Sequence, residues 1–345
     1  MSARRRLGPL AAAVLLALGA LLWLDWRGEQ EASTVRTVRL WPKLDGEINA
    51  VREIRLARGD GTKVTLQRDQ SGWQVVERAY PADTGKLRKL LLDLAALEIV
   101  EEKTRDPALF AKLGVDEPTA PASSGTLVEL WLDGAPAGAP AAYALIVGRS
   151  AGARELYARR RGETQSFLLR SDLSLDPAPT RWLDTALLDV KPERVRSIEI
   201  RVAGEPAFTL SRERADAGEL QLTASGMRPR PPATLKTDSA SGLLAALSAL
   251  TFDDVRAAPA APPPAIDRAR VQTFDGLQLD IEGLRDGERR WLRVSAVASG
   301  AGTEPADVKQ IAARSASREF EIPAYKYDAL FRKLKDLLPP AGAAG

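Results

Sequence analysis

The stretch that decides the fold is GWQVVERAYPADTGKLRKLLLDLAALEIVEEKT, residues 72–104. It opens with Trp73 and Val75 at alternating positions, which is typical of a strand with one buried face. Tyr80-Pro81-Ala82-Asp83 then ends the strand pattern, and Asp83 is a suitable N-cap for a helix. A helix that starts there presents one apolar stripe, formed by Leu87, Leu90, Leu91, Leu94 and Leu97. The stripe predicts a helix that packs by one face on a sheet.

Two strand patterns precede this segment. One begins at Val51 and the other contains Val64 and Leu66, with a hairpin signal at Asp60-Gly61 between them. Residues 59–63, Gly-Asp-Gly-Thr-Lys, lack the G-x-x-x-x-G-K-[ST] spacing of a phosphate loop, so we interpret them as a turn. The three strands together predict an antiparallel meander.

The same order of signals returns later in the chain. Val195, Ile198 and Ile200 repeat the first strand pattern, and Asp238 again precedes a leucine stripe. Further strand patterns follow in both halves, and each half ends in a predicted helix, at 179–190 and 323–338. The proline- and alanine-rich stretches 117–125 and 258–265 divide the halves as extended connectors. We therefore predict an α+β fold built from two tandem copies of one antiparallel sheet unit with packed helices.

An apolar run stands at the amino terminus. Arg4, Arg5 and Arg6 precede residues 7–26, which as a helix of about 20 residues would rise roughly 30 Å, one bilayer core. A cleaved signal peptide is the alternative, but its one candidate site, Ala17-Leu18-Gly19, lies inside the apolar run. We favour an uncleaved transmembrane helix with a cytoplasmic amino terminus and an exported body.

The predicted organisation has six parts. They are a cytoplasmic tip at 1–6, a transmembrane anchor at 7–26, a linker at 27–45, a first α+β repeat domain at 46–190, a second at 191–338 and a disordered tail at 339–345.

Composition excludes several classes of function. Lys and Arg number 49 against 46 Asp and Glu, and the surplus equals the three amino-terminal arginines, so the body lacks the basic footprint of a nucleic-acid-binding protein. The chain has no His and no Cys, which excludes a Ser-His-Asp triad, a thiol nucleophile and an ordinary zinc site. We predict no catalytic residue, metal or cofactor; an enzyme that uses Ser/Lys or carboxylate chemistry is the least favoured hypothesis.

Two kinds of charged cluster are candidate sites. The acid pairs Glu101-Glu102 and Asp253-Asp254 each follow a leucine-rich helix. They would bind a cation, take part in acid/base chemistry, or be solvated residues at the end of the helix. The basic clusters lie on predicted hairpins, where they would contact lipid phosphates or an acidic glycan, or be solvated turns. Their members are Arg159, Arg160 and Arg161, and Arg289 and Arg290 with Arg293. Trp73, Trp131, Trp182 and Trp291 suggest a carbohydrate platform, but their apolar patterns favour core packing.

Four segments together resemble a bacterial family, the domain of unknown function 4340. They are LWPKLDGEINAVREIRL (40–56), SGWQVVERAYPAD (71–83), EEKTRDPALFAKLGVDEP (101–118) and FEIPAYKYDALFRKLKDLL (320–338). The resemblance covers nearly all of the chain after the anchor. Its motif residues look structural; they are Trp73, Pro81, Asp83, Asp106, Pro107 and Gly114.

The resemblance implies a partner and a location. Family members are typically encoded beside an ABC-type exporter of the gliding-motility kind. We therefore expect a non-enzymatic accessory subunit, anchored by one helix in the bacterial inner membrane, whose periplasmic body contacts an ABC permease or auxiliary subunit and its separate ATPase. The alternative is a periplasmic binding protein for an envelope lipid or glycan.

Overall fold

The computed structural model describes residues 38–216, 220–224, 237–261, 267–299 and 305–338. The predicted cytoplasmic tip, the anchor at 7–26, part of the linker and the tail at 339–345 lie outside these residues. Among the residues described, no helix has the length and apolar character needed to cross a bilayer.

The described part of the chain is α+β, with antiparallel sheets and few helices. The first ten strands are β1 (Val38–Arg39), β2 (Val51–Arg58), β3 (Lys63–Asp69), β4 (Gly72–Val75), β5 (Tyr80–Pro81), β6 (Glu98–Glu102), β7 (Thr126–Leu132), β8 (Tyr143–Gly152), β9 (Glu155–Arg160) and β10 (Ser166–Arg170). The next ten are β11 (Ala186–Leu188), β12 (Val195–Arg201), β13 (Phe208–Ser211), β14 (Gln221–Ala224), β15 (Leu250–Thr251), β16 (Asp254–Ala257), β17 (Asp267–Thr273), β18 (Leu277–Asp286), β19 (Arg289–Ala298) and β20 (Arg318–Ile322). The α-helices are α1 (Leu44–Glu47), α2 (Thr84–Ala95), α3 (Phe110–Leu113), α4 (Thr237–Ala245), α5 (Ala306–Ser315), α6 (Ala324–Leu330) and α7 (Leu334–Leu337).

The chain forms two compact units. The first comprises Val51 and the described residues before it, Ala57–Gly61 and Lys89–Leu175. The second comprises Arg52–Leu56, Thr62–Arg88 and the described residues from Asp176 onward. Strand β2 and helix α2 therefore contribute residues to both units.

In the first unit, neighbouring strands follow the order β1-β6-β10-β9-β8-β7-β2. The pairing is antiparallel, as at Leu168 opposite Tyr157 and Leu127 opposite Ile146. Strands β7 and β10 are buried along most of their length because TLVELWL and SFLLR place apolar residues on both faces. This unit has its core on both sides of the sheet.

The second unit contains the meander β2-β3-β4-β5 and a sheet of order β14-β13-β12-β17-β18-β19-β20-β16. A two-stranded pair, β11-β15, lies in the same unit. In β12, Val195, Ile198 and Ile200 are fully buried, while the intervening residues are more exposed. The alternation is that of a strand with one face in the core.

The helix predicted from the opening segment is confirmed. Asp83 Oδ1 accepts hydrogen bonds of 3.0 Å from the backbone N–H groups of Gly85 and Lys86, which caps α2. All five leucines of the predicted stripe are buried. The predicted turn at residues 59–63 also forms, with Gly61 at a φ of +88°.

The predicted helix at 179–190 is wrong. The segment forms a single 3-10 turn at Pro179–Trp182, and Leu183 is then extended. The reason is non-local pairing, since the N–H of Asp83 donates to the carbonyl of Trp182 at 2.7 Å and the N–H of Asp184 donates to that of Pro81 at 3.0 Å. These bonds take the backbone groups that a helix would use.

Two other helical regions differ from expectation. Helix α5 lies between β19 and β20 and buries Val308, Ile311 and Ser315, although no helix is predicted there. The predicted helix at 323–338 is two short helices, α6 and α7, because Phe331 leaves the helical conformation at φ −101° and ψ 48°.

Gly283 on β18 allows α6 to approach the sheet. A Cβ at this position would lie 2.6 Å from the hydroxyl of Tyr327 and in collision with the ring of Phe331. We expect Gly283→Ala to lower the free energy of unfolding by about 2 kcal/mol, because the aromatic residues must move to make room. Chemical denaturation of the purified protein measures this change.

Gly46→Ala is the matched control for that substitution. Gly46 lies in a helix, and no atom stands within 4 Å of an added Cβ. Its substitution should leave stability unchanged or raise it by about 0.5 kcal/mol. Equal unfolding midpoints for Gly283→Ala and the unaltered protein would show that the close approach has no energetic consequence.

Candidate functional site

Arg159 is a buried residue of β9 with a relative exposure of 5%. Its guanidinium donates to the carbonyls of Val115 and Glu163 and to Oε1 of Glu117, each at 2.8 Å, and it stacks 4.7 Å from the ring centre of Phe110. These partners, all within the first unit, use three of its five N–H donors. The solvated-hairpin alternative is therefore wrong for Arg159, and its contact with a lipid or glycan stays a prediction.

Its two neighbours in the basic cluster are more exposed but also engaged. Arg160 donates to the carbonyl of Leu40 at 2.7 Å and lies over the ring of Phe167. Arg161 forms an ion pair of 2.6 Å with Glu129. All three arginines of this cluster thus hold parts of the first unit together.

The segment that carries the Asp106, Pro107 and Gly114 motif is a tightly built loop. Asp106 Oδ1 accepts from the N–H of Ala108 at 3.0 Å, with Pro107 at the start of the short helical turn. Gly114 ends α3 in the left-handed conformation, at a φ of +71°. Together with the Arg159 contact to Val115, these features give the segment a structural role.

The acidic pair and the second basic cluster meet in the second unit. Asp254 accepts from Arg78 at Nε (2.6 Å) and Nη2 (3.2 Å), and Arg289 lies 3.6 Å away. Arg289 also pairs with Glu321. The result is a chain of alternating charges, Arg78–Asp254–Arg289–Glu321, that joins β16, β19 and β20 to the first meander.

The remaining members of these clusters have other surroundings. Burial and the nearby Glu321 carboxylate raise the pKa of Asp253, so its ionisation opposes folding as the pH rises through that pKa. Arg290 donates to the carbonyl of Gly287 at 2.9 Å, inside its own hairpin. Glu101 and Glu102 lie at the end of strand β6, and not directly at the end of α2, which stops at Ala95.

A buried carboxylate lies beside this charged chain. Glu319 is fully buried and accepts from Arg256 Nε at 2.7 Å and from Arg293 Nη2 at 2.6 Å. Arg256 in turn stacks on Trp291, 3.8 Å from its ring centre. Glu319 is not predictable from the sequence pattern, because a Glu beside Phe320 in an alternating strand is expected to face solvent.

A second buried polar group was also missed. Asp267 accepts from the hydroxyl of Tyr327 at 2.7 Å, from Arg285 at 2.8 Å and from the N–H of Ala203 at 2.9 Å. Burial, together with the hydrogen bond to Asp267, raises the pKa of Tyr327. Every partner is satisfied, so this cluster anchors α6 to the sheet.

The tryptophans do not form a platform. Trp131, Trp182 and Trp291 are buried, as expected for core residues. Trp73 is only half-buried, so it does not fill the core in the way the sequence suggested. Across the residues that the structure describes, no group of three or more acidic side chains is placed to hold a metal ion.

These observations define an α+β protein of two units in which the predicted basic clusters are bound internally. The model of a family named Domain of unknown function (DUF4340) matches residues 73–270. Because the match covers more than half of the chain, the protein belongs to this family. Neither the curated proteins nor the solved structures yield a match.

A structural role for Arg159 predicts a large effect on stability. Arg159→Met leaves two carbonyls and one carboxylate without their donor, so the free energy of unfolding should fall by about 3 kcal/mol. Arg161→Met is the control, since Arg161 forms exposed ion pairs worth less than about 1 kcal/mol. Similar denaturation midpoints for the two variants would contradict the role assigned to Arg159.

The buried carboxylate of Glu319 provides an independent prediction. Glu319→Gln keeps the shape but removes the charge that balances Arg256 and Arg293, and should cost about 3 kcal/mol. Glu282→Gln is the comparison, because Glu282 is partly exposed and lies 3.7 Å from Arg293. Thermal unfolding measures both; a Glu319→Gln protein as stable as Glu282→Gln would count against a stabilising role.

Proposed function

We propose that this protein is a non-enzymatic, membrane-anchored periplasmic accessory subunit of an ABC-type transporter complex. In this proposal, residues 7–26 hold it in the bacterial inner membrane, with Arg4–Arg6 on the cytoplasmic side. The body contacts a permease or auxiliary subunit, and a separate chain supplies the ATPase. The family match and the amino-terminal apolar run support this reading.

The proposal rests on one observation: arginines of the predicted basic clusters pair with groups of their own unit. Arg161 and Arg289, which the sequence offered as ligand contacts, are half-exposed and pair with carboxylates of their own unit, Glu129 and Glu321. Fixed side chains make a preformed surface, and a preformed surface loses little conformational entropy when a protein partner docks. A preformed surface of this kind favours a function in binding other proteins.

We include the tandem duplication in the proposal. The neighbour order β6-β10-β9-β8-β7-β2 has a counterpart in β16-β20-β19-β18-β17-β12, and β2-β3-β4 corresponds to β12-β13-β14. Helices α2 and α4 follow the corresponding strands. The matching orders support two copies, at 46–190 and 191–338, which would offer two related faces to partners.

The alternative, binding of an envelope lipid or glycan through the arginine hairpins, receives less support. It requires Arg159–Arg161 to offer free donors, whereas Arg159 is buried and bound. Removing such a buried ion from its partners costs several kcal/mol, on the order of 3–5, which ligand contacts would have to offset.

Co-purification tests the proposed function. The affinity-tagged full chain, extracted from its own bacterial membranes in mild detergent, should elute with an ABC permease and its ATPase. A chain that lacks residues 7–26 is the control, and it should leave the membrane fraction because the apolar anchor is gone. Elution of the full chain alone, while the neighbouring permease and ATPase remain assembled in the same extract, would refute the proposal.

A further inference from the structure

Residues 78–83 of the second unit form a clasp on distant parts of the same unit. Backbone hydrogen bonds join Asp83 to Trp182 at 2.7 Å and Pro81 to Asp184 at 3.0 Å. Both partners belong to the segment between β10 and β11. The clasp, which comes from the first half of the chain, is thus paired with backbone that follows the first sheet.

Side chains of the clasp reach the strands of the second sheet. Tyr80 is fully buried, and its ring centre lies 5.3 Å from that of Phe252 and 5.8 Å from that of Phe320. Arg78 donates to both carboxylate oxygens of Asp254. Aromatic packing and one bidentate ion pair therefore close the clasp against β16 and β20.

Backbone strain is concentrated at the clasp. Ala79 has a left-handed conformation, with a φ of +48°, which costs alanine more than glycine. Arg318 donates to its carbonyl at 2.9 Å and directly follows Ser317, which is also left-handed at a φ of +55°. Among the residues that the structure describes, one other non-glycine residue, Ala249, has a positive φ. Strained residues of this kind recur in segments that change conformation.

Buried polar atoms at the clasp are incompletely satisfied. The Tyr80 hydroxyl and Nε of Arg314 interact electrostatically, but neither atom makes a hydrogen bond of regular geometry. Arg314 donates instead to Asp184 through Nη2. A buried polar group without full hydrogen bonding is unfavourable, and water would satisfy it if the clasp opened.

Strands β17 and β18, at the centre of the second-unit sheet, differ from the clasp. Their pairing has no register shift, and Val271, Leu279 and Ile281 are buried. The structure describes both strands completely, and neither contains a left-handed non-glycine residue or a buried polar side-chain atom without a hydrogen bond. The centre of the sheet therefore resists local opening more strongly than the clasp does.

We propose that residues 78–83 act as a releasable clasp, which opens from β16 and β20 while β17 and β18 stay folded. Opening breaks the ion pair with Asp254, but it lets Ala79 leave the left-handed conformation and lets water reach the Tyr80 hydroxyl. It also uncovers the rings of Phe252 and Phe320. The clasp thereby controls access to an aromatic surface of the second unit, and this role does not depend on the transporter proposal.

Hydrogen-exchange mass spectrometry on the full chain in mild detergent tests the clasp. Residues 79–84 and 182–185 should exchange together, with protection at least about tenfold below that of β17 and β18, because a local opening costs less than global unfolding. Added denaturant should accelerate exchange in β17 and β18 much more than in the clasp, since a local opening exposes little surface.

Two substitutions should move this opening in opposite directions. Ala79→Gly relieves the strain of the left-handed residue and should raise the protection of both clasp segments about threefold. Arg78→Met removes the two hydrogen bonds to Asp254 and should lower that protection about tenfold. Ala178→Gly is the matched control for the glycine, because Ala178 has an ordinary φ of −71°, and it should not raise the protection.

A substitution in the centre of the sheet separates local opening from global unfolding. Ile281→Val removes one buried methyl group from β18 and should lower the protection of β17 and β18 about fivefold. The clasp segments should keep their protection, because Ile281 stays packed when the clasp opens. The proposal is overturned if the clasp is as protected as β17 and β18, if Ile281→Val lowers both equally, or if Ala79→Gly does not raise the protection of the clasp.

Discussion

Buried charge must be balanced where it lies, and this constraint organises both units of the protein. An arginine or glutamate that leaves water loses several kcal/mol of hydration, which only close partners restore. Arg159 meets the condition with Val115, Glu117 and Glu163, and Glu319 meets it with Arg256 and Arg293. In each case the ion joins its strand to residues far away along the chain. Arg159, which the sequence offered as a ligand contact, is therefore used inside the fold.

Exposed charges stand apart from this pattern, because water solvates them where close partners do not; Arg154 and Asp172, both exposed, form such a surface pair. Close backbone packing is a second constraint in the first unit, because the carbonyl of Gly114 lies against Gly148 and leaves no room for a side chain there.

Local signals predicted the elements whose hydrogen bonds are local. The capping of α2 by Asp83 and the turn at Gly61 depend on residues within a few positions, so the sequence pattern was sufficient. The helix expected at 179–190 failed because Leu183 bridges to Ala82, a partner that no local pattern reveals. Helix α5 was missed because its short buried face, with Val308 and Ile311, lies between two strand patterns.

Sequence alone determined the α+β class, the antiparallel meander and the leucine-striped helix, because alternation and helical spacing record which face of each element avoids water. It also excluded chemistry that needs His or Cys. Only the tertiary structure decided which charged side chains are buried and with which groups they pair, since the partners of Arg159 and Glu319 come from other strands and loops. Such pairs form only when distant elements pack together, and the spacing of residues in the sequence does not reveal which elements will pack.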